Sequence, residues 1–130
     1  MKNPARGGFT LIELLIVAVV IGILAAIAIP KYSTMREKSY VAAVTSDLKN
    51  VASQQEIYLS NEYAYASDVG DLTITITDRV TITINEATGS GWAATGTHSG
   101  LAGRQCGFYF GDAAPGGASP ATAPGTVTCD

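Results

Sequence analysis

The sequence has few of the residues from which catalytic and metal sites are built. It contains one histidine and two cysteines, and 15% of its residues are charged. No nucleophile, base and orienting group can be identified around His98. Asp68 and Asp71 lack the further ligands of a calcium-binding loop. We therefore expect neither an enzyme nor a bound metal or cofactor.

Positive charge is also scarce. Eight lysines and arginines stand against eleven acidic residues, which gives a net charge of −3. A nucleic-acid interface needs clustered cations to neutralise phosphates, and no such patch is visible here. We therefore predict no nucleic-acid partner.

One long stretch has almost no charge of either sign. Between Phe9 and Ile29, the only charged residue is Glu13. As a helix, this stretch would reach about 31 Å, close to the roughly 30 Å of a bilayer's hydrocarbon core. It can span a membrane, and Gly22 and Pro30 are its two helix-weakening positions.

The position of Glu13 suggests a role in assembly. An acidic group inside a spanning helix is costly, so it is usually near an end, paired or functional. A cut between Gly8 and Phe9 would create an α-amino group one helical turn from this carboxylate. The carboxylate could then pair with that amine or with the amine of another subunit.

The residues around this position closely resemble a known family. The run RGGFTLIEL, residues 6–14, is similar to the class III leader and N-terminal helix of type IV pilins, in particular type IVa-like major pilins, and of the related pseudopilins. The resemblance is dense up to Pro30. It implies that a prepilin peptidase cuts after Gly8 and methylates the new amine of Phe9. It also implies that Glu13 selects the neighbouring subunit's N-terminus, and that the helix can melt between Gly22 and Pro30 in a filament.

The same resemblance implies partners and a location. The subunit would form a homopolymer, driven by a cytoplasmic assembly ATPase and a platform protein in the inner membrane. It would be a single-pass inner-membrane protein before assembly and part of an extracellular pilus afterwards, serving adhesion or motility. A minor pilin or a type II secretion pseudopilin remains an alternative. A different alternative is a secreted binding module, whose ordinary signal peptide is cut near Ile29.

Three segments follow from these observations. Residues 1–8 are a leader, residues 9–30 a transmembrane and assembly helix, and residues 31–130 an amphipathic helix with a globular β domain. The amphipathic helix has one apolar stripe with helical spacing: Val41, Val44, Leu48, Val51, Gln55 and Tyr58. Four polar residues off this stripe are predicted to face solvent or other subunits: Lys38, Asp47, Lys49 and Glu56.

Strand patterns follow the helix. Residues 72–77 and 80–85 alternate strictly between apolar residues and threonine or asparagine, and Asp78-Arg79 between them predicts a hairpin. Residues 92–97 and 106–110 are candidate third and fourth strands, with Trp92, Phe108 and Phe110 as aromatic anchors. The predicted fold class is α+β: a long N-terminal helix packed on a small antiparallel sheet of three to four strands.

The two cysteines lie in the last quarter of the chain. Cys106 and Cys129 have no metal-ligand spacing, so a disulfide in an oxidising compartment is the better interpretation. Many pilins close such a C-terminal loop, which agrees with this pairing. Residues 112–130 are rich in Ala, Gly, Pro, Ser and Thr, and we expect an exposed loop tied back by the disulfide.

Overall fold

The computed structural model describes Met1, Pro4 and residues 6–130. Lys2, Asn3 and Ala5 lie outside the described residues. The part of the predicted leader that they form is therefore not described. Two compact units make up the chain, Met1–Arg36 and Glu37–Asp130.

The first unit contains the residues before helix α1 and the first part of that helix, which runs from Leu11 to Glu62. The large apolar side chains from Phe9 to Ile29 are all more than half exposed. Gly22 and Pro30 both lie inside the helix, which is continuous through them. The predicted melting concerns a filament and stays a prediction.

In the second unit, α1 contributes the apolar stripe to the core. Val44, Leu48, Val51 and Gln55 are fully buried. Val44, Leu48 and Val51 belong to one buried cluster with residues of the sheet, and Val41 and Tyr58 pack against it, so the predicted stripe is confirmed. The prediction for Asp47 is wrong, because this carboxylate is only 3% exposed.

Four antiparallel strands form one sheet in the order β1-β2-β3-β4. Their bounds are Val80–Ala87 for β1, Gly91–His98 for β2, Gln105–Gly111 for β3 and Thr128–Cys129 for β4. The inner face carries Trp92 and Phe108, whose ring centroids are 4.9 Å apart, whereas Phe110 is 43% exposed. The α+β fold class is thereby confirmed.

The predicted hairpin between residues 72–77 and 80–85 is wrong, because only the second segment is a strand. The first segment is bonded to the helix instead. The backbone N–H and the hydroxyl of Thr77 both donate to the Asp47 carboxylate, at 2.9 and 3.0 Å. Leu72 is nevertheless buried and Ile74 half-buried, so the alternation predicted the inward side correctly. The same alternation wrongly predicted a strand, because residues 72–77 pair with no strand within the described residues.

The C-terminal loop is less exposed than predicted. A short 3-10 helix, Pro115–Ala118, lies against the outer face of the sheet, where a second buried cluster forms: Ala93, Tyr109, Ala113, Ala118 and Ala121. The carbonyl oxygen of Ala118 lies where Gly107 would carry a Cβ, so only glycine fits there. The loop therefore packs as a second layer over part of the sheet.

Candidate functional site

The N-terminus of α1 is fixed by a reciprocal pair of side chains. Glu13 Oε2 accepts hydrogen bonds from the backbone N–H of Thr10 at 2.7 Å and from the Thr10 hydroxyl at 2.9 Å. The Thr10 hydroxyl in turn accepts from the Glu13 N–H at 3.3 Å. This is a capping box, in which two helix-end N–H groups find side-chain acceptors.

Thr10 is a functional residue for which no separate role was predicted from the sequence. The signal was present as Thr-x-x-Glu directly before an apolar run, which is the sequence pattern of a capping box. The box turns the Glu13 carboxylate back toward the start of the helix. Both bonds are accepted by Oε2, and within the described part of the chain Oε1 accepts no hydrogen bond. One oxygen is thus held while the other is available to a cation.

The predicted cut lies directly before this box. Gly8 and Phe9 are exposed and belong to no helix or strand, and Phe9 is 85% exposed. Proteases cut most readily at exposed segments outside regular structure, and residues 6–10 form such a segment. Beyond it, α1 contains an 18-residue window of mean hydropathy 3.0, none of which is buried. By length and composition, this part of the helix could cross a membrane.

A second set of polar contacts fixes the chain where it leaves α1. The buried Gln55 side chain donates to the Ala66 carbonyl at 2.9 Å and accepts from the Ala66 N–H at 2.8 Å. The Tyr65 hydroxyl donates to Glu56 at 3.0 Å. Burial, together with the hydrogen bond to Glu56 and its negative charge, raises the pKa of Tyr65 to about 12.

His98 and Asp68, the remaining candidate residues, make contacts that stabilise the local fold. His98 ends β2, where its ring stacks on Tyr40 at 4.1 Å and its Nδ1 accepts the Gly100 N–H at 2.9 Å. Asp68 accepts the Gly70 N–H at 2.6 Å and caps a 3-10 turn. In the described residues, no three His, Cys, Asp or Glu side chains are grouped to hold a metal ion.

The two cysteines are joined as predicted. Cys106 and Cys129 form a disulfide and are also paired across β3 and β4, with their Cα atoms 4.0 Å apart. The bond closes the C-terminal segment over the sheet. The predicted sites thus fall into two places: the residues from Gly8 to Pro30 in the first unit, and the disulfide in the second.

Comparisons with known proteins agree with this arrangement. The family model "Prokaryotic N-terminal methylation motif" matches residues 3–29. The type II secretion system core protein G of Pseudomonas aeruginosa is 34% identical over 67 residues, 52% of this chain and 47% of that protein. The type IV major pilin protein PilA of Myxococcus xanthus is 39% identical over 70 residues, 54% of this chain and 32% of that protein. The chain thus spans about half and a third of these two relatives.

A third relative is similar over most of its length. The type IV wide pilus major component PilA4 of Thermus thermophilus is 35% identical over 104 residues, which are 77% of this chain and 78% of that protein. A match that covers 77% of this chain must include part of the sheet domain as well as part of helix α1. This chain belongs to the type IV pilin family.

Proposed function

We propose that the chain is a structural subunit of a type IV pilus-like filament that serves surface adhesion or motility. The observation that carries this proposal is the similarity to a wide-pilus major component over more than three quarters of both chains. A homopolymer of this subunit would place the sheet domain outside the cell and the apolar helix inside the filament.

Maturation is the first step of the proposal. A prepilin peptidase cuts after Gly8 and methylates the amine of Phe9, and the net charge changes from −3 to −5 because Lys2 and Arg6 are lost. The exposed, non-helical segment before α1 supports this step, as does the match of residues 3–29 to a methylation motif.

Assembly through Glu13 is the second step. The Phe9 amine is positively charged, and among packed apolar helices an opposite charge is its best partner. The capping box holds the Glu13 carboxylate at the helix end by one oxygen, which leaves Oε1 for the amine of a neighbouring subunit. A subunit that does not bring this pair together would bury an uncompensated charge.

Burial of the apolar helix is the third step. Its side chains are exposed in the single subunit, so they need lipid before assembly and other helices after it. Because lipid tails are as apolar as the helix, exit from the inner membrane has little driving force of its own. An assembly ATPase and an inner-membrane platform protein would supply the work. Gly22 and Pro30 would let the helix melt locally within the filament.

A secretion pseudopilin is the second candidate, and the match to a secretion-system core protein favours it. That match covers about half of each chain, whereas the match to the wide-pilus component covers much more. The amount of this protein in filaments sheared from the cell surface distinguishes a major pilin from a minor pilin or a pseudopilin, because only a major subunit dominates such filaments.

The deciding experiment compares Glu13→Gln with Thr10→Ala in cells that produce the full chain. The first variant removes the charge, and the second removes the capping hydroxyl while the carboxylate stays. We expect Glu13→Gln subunits in the membrane to begin at methylated Phe9 but to be at least about tenfold depleted from sheared filaments. Thr10→Ala should retain most filaments. Mass spectrometry of both fractions gives the mature N-terminus and the amounts.

Two results would contradict the proposal. A normal amount of filaments from Glu13→Gln would show that this carboxylate has no role in assembly. A wild-type chain that begins near Ile29 and is found only as soluble protein would show that the apolar stretch is an ordinary signal peptide.

A further inference from the structure

A cleft lined by both polar and apolar side chains lies at the end of the sheet where β1 begins and β2 ends. Its volume is about 370 Å³, which is within the range of small-molecule sites. Side chains of both strands and of the following loop line it, among them Arg79, Thr81, Thr97, Ser99, Leu101 and Arg104. In the part of the chain that the structure describes, no acidic side chain belongs to this lining.

Arg79 brings an uncompensated positive charge to the cleft. Its Nε donates to the Ser99 hydroxyl at 2.8 Å, and its carbonyl accepts the Ser99 N–H at 3.0 Å. Within the described residues, its two terminal nitrogens have neither a hydrogen bond nor an ion pair. The guanidinium is therefore oriented through Nε, while the pair of N–H groups that fits a carboxylate is unoccupied.

Arg104, the other arginine of the cleft, is already neutralised. Its Nε and Nη2 donate to the Asp130 carbonyl oxygen at 2.9 and 2.7 Å. Its Nη1 lies 3.3 Å from the Glu37 carboxylate. Arg104 thus forms part of the wall, and among the described residues the cleft offers one free cation rather than two.

Three hydroxyl side chains line the same cleft as the Arg79 guanidinium. Thr81 and Thr97 are register partners in β1 and β2, so their side chains lie next to each other on the outer face of the sheet. With Ser99, they give three hydroxyls, each able to donate and to accept. Ala102 adds exposed apolar surface, whereas Leu101 belongs to the core and is only 5% exposed. Adjacent hydroxyls, an apolar patch and one guanidinium match the polar edge, the ring face and the carboxylate of an acidic sugar.

Charge argues against a nucleic acid in this place. A phosphate chain needs several cations in a row, but the described residues give the cleft one free cation, in a protein of net charge −3. A sugar that carries one carboxylate needs only that one. We propose that the cleft binds a uronic-acid unit of an acidic polysaccharide, with Arg79 holding the carboxylate and Thr81, Thr97 and Ser99 the ring hydroxyls.

The test uses the full chain in detergent micelles, so its outcome does not depend on filament assembly. Trigalacturonate is titrated at physiological salt, and backbone amide shifts are followed by NMR. We expect shifts concentrated at Thr81, Thr97 and Ser99. Arg79→Asn should weaken binding at least about tenfold, because a bidentate charged contact is lost. Asparagine tolerates the positive φ of 65° that residue 79 adopts, so this variant should fold.

Lys49→Gln is the matched control, because it removes one positive charge from an exposed helix position outside the cleft. It should change the affinity by less than about twofold. Thr97→Val, which keeps the side-chain shape and removes a hydroxyl, should also weaken binding and tests the site independently of Arg79.

Three further ligands test which group is recognised: fully methyl-esterified trigalacturonate, which is uncharged, inorganic phosphate and a single-stranded oligonucleotide. The assignment predicts that all three bind more weakly than trigalacturonate. Equal affinity for the ester would show that the carboxylate is not recognised. Equal affinity for phosphate or the oligonucleotide would replace the sugar with a phosphate ligand. Unchanged affinity of Arg79→Asn for trigalacturonate would show that this cleft is not the binding site.

Discussion

At the scale of single residues, Asp47 shows how a buried charge can hold a loop. Its two carboxylate oxygens accept the N–H and the hydroxyl of Thr77, 30 residues further along the chain. The carboxylate is only 3% exposed, so water offers little replacement for these partners. Asp47 therefore fixes the segment before β1 against the helix.

Replacing Asp47 by alanine should lower the free energy of unfolding by about 2 to 3 kcal/mol, because the Thr77 N–H loses its acceptor and a charged hydrogen bond disappears. Urea unfolding of the full chain in micelles, followed by the fluorescence of the single tryptophan Trp92, measures the change. Glu62→Ala, at an exposed position of the same helix, is the control and should have little effect. A loss below about 0.5 kcal/mol at Asp47 would contradict this role.

Tyr65 makes stability depend on alkaline pH. Its folded pKa of about 12 lies above the usual value of 10.0, so the folded state favours the neutral phenol. The stabilisation is complete below pH 10.0 and is lost as the pH rises from there through about 12. In the unfolding experiment, Tyr65→Phe should reduce the fall in stability over this window.

Tyr63→Phe is the matched control for that experiment, because Tyr63 is two residues away and 87% exposed. Its pH profile should match that of the wild type. If Tyr65→Phe shows the same alkaline loss as Tyr63→Phe, the raised pKa of Tyr65, caused first by burial and then by Glu56, does not contribute to that loss.

At the scale of elements, the C-terminal loop depends on its disulfide. Strand β4 has only two residues, and it pairs with β3 at Cys106 and Gly107. The loop packs alanines against the outer face of the sheet and anchors Gly125 to the Tyr109 carbonyl at 2.8 Å. Small side chains bury little area, so the covalent bond must limit the loop's entropy.

Removing both cysteines, as Cys106→Ala with Cys129→Ala, should lower the free energy of unfolding by about 3 to 3.5 kcal/mol, the loop-closure value for this sequence separation of 23. Amide hydrogen exchange should show loss of protection at Gly125 and in β4, while the pairing of β1 with β2 keeps more of its protection. A loss below about 1 kcal/mol with a protected loop would show that packing alone holds it.

At the scale of the whole molecule, the two units bury their apolar surface in different ways. Glu37–Asp130 has its own core around Val44, Leu48 and Trp92. Met1–Arg36 leaves its apolar side chains exposed. Exposure of such a helix to water is unfavourable, and only lipid or other chains can cover its apolar side chains. This asymmetry is the physical basis of the proposed filament.

Sequence by itself determined those features that depend on local pattern. The spacing of Val44, Leu48 and Val51 predicted the buried helix face, and alternation predicted which side of residues 72–84 faces inward. The run RGGFTLIEL identified the family, and the cysteine count gave the disulfide. Each of these signals is periodic or local, so it can be interpreted without knowing what lies opposite.

Only the tertiary structure decided what each segment lies against. Residues 72–77 alternate like a strand, but Asp47 accepts the Thr77 N–H, and no strand within the described residues pairs with this segment. Asp47 itself is buried because a loop distant in sequence covers it. Arg79 and Thr97 meet in one cleft only because β1 and β2 are neighbours. Such contacts join residues far apart along the chain, and no periodicity in the sequence encodes them.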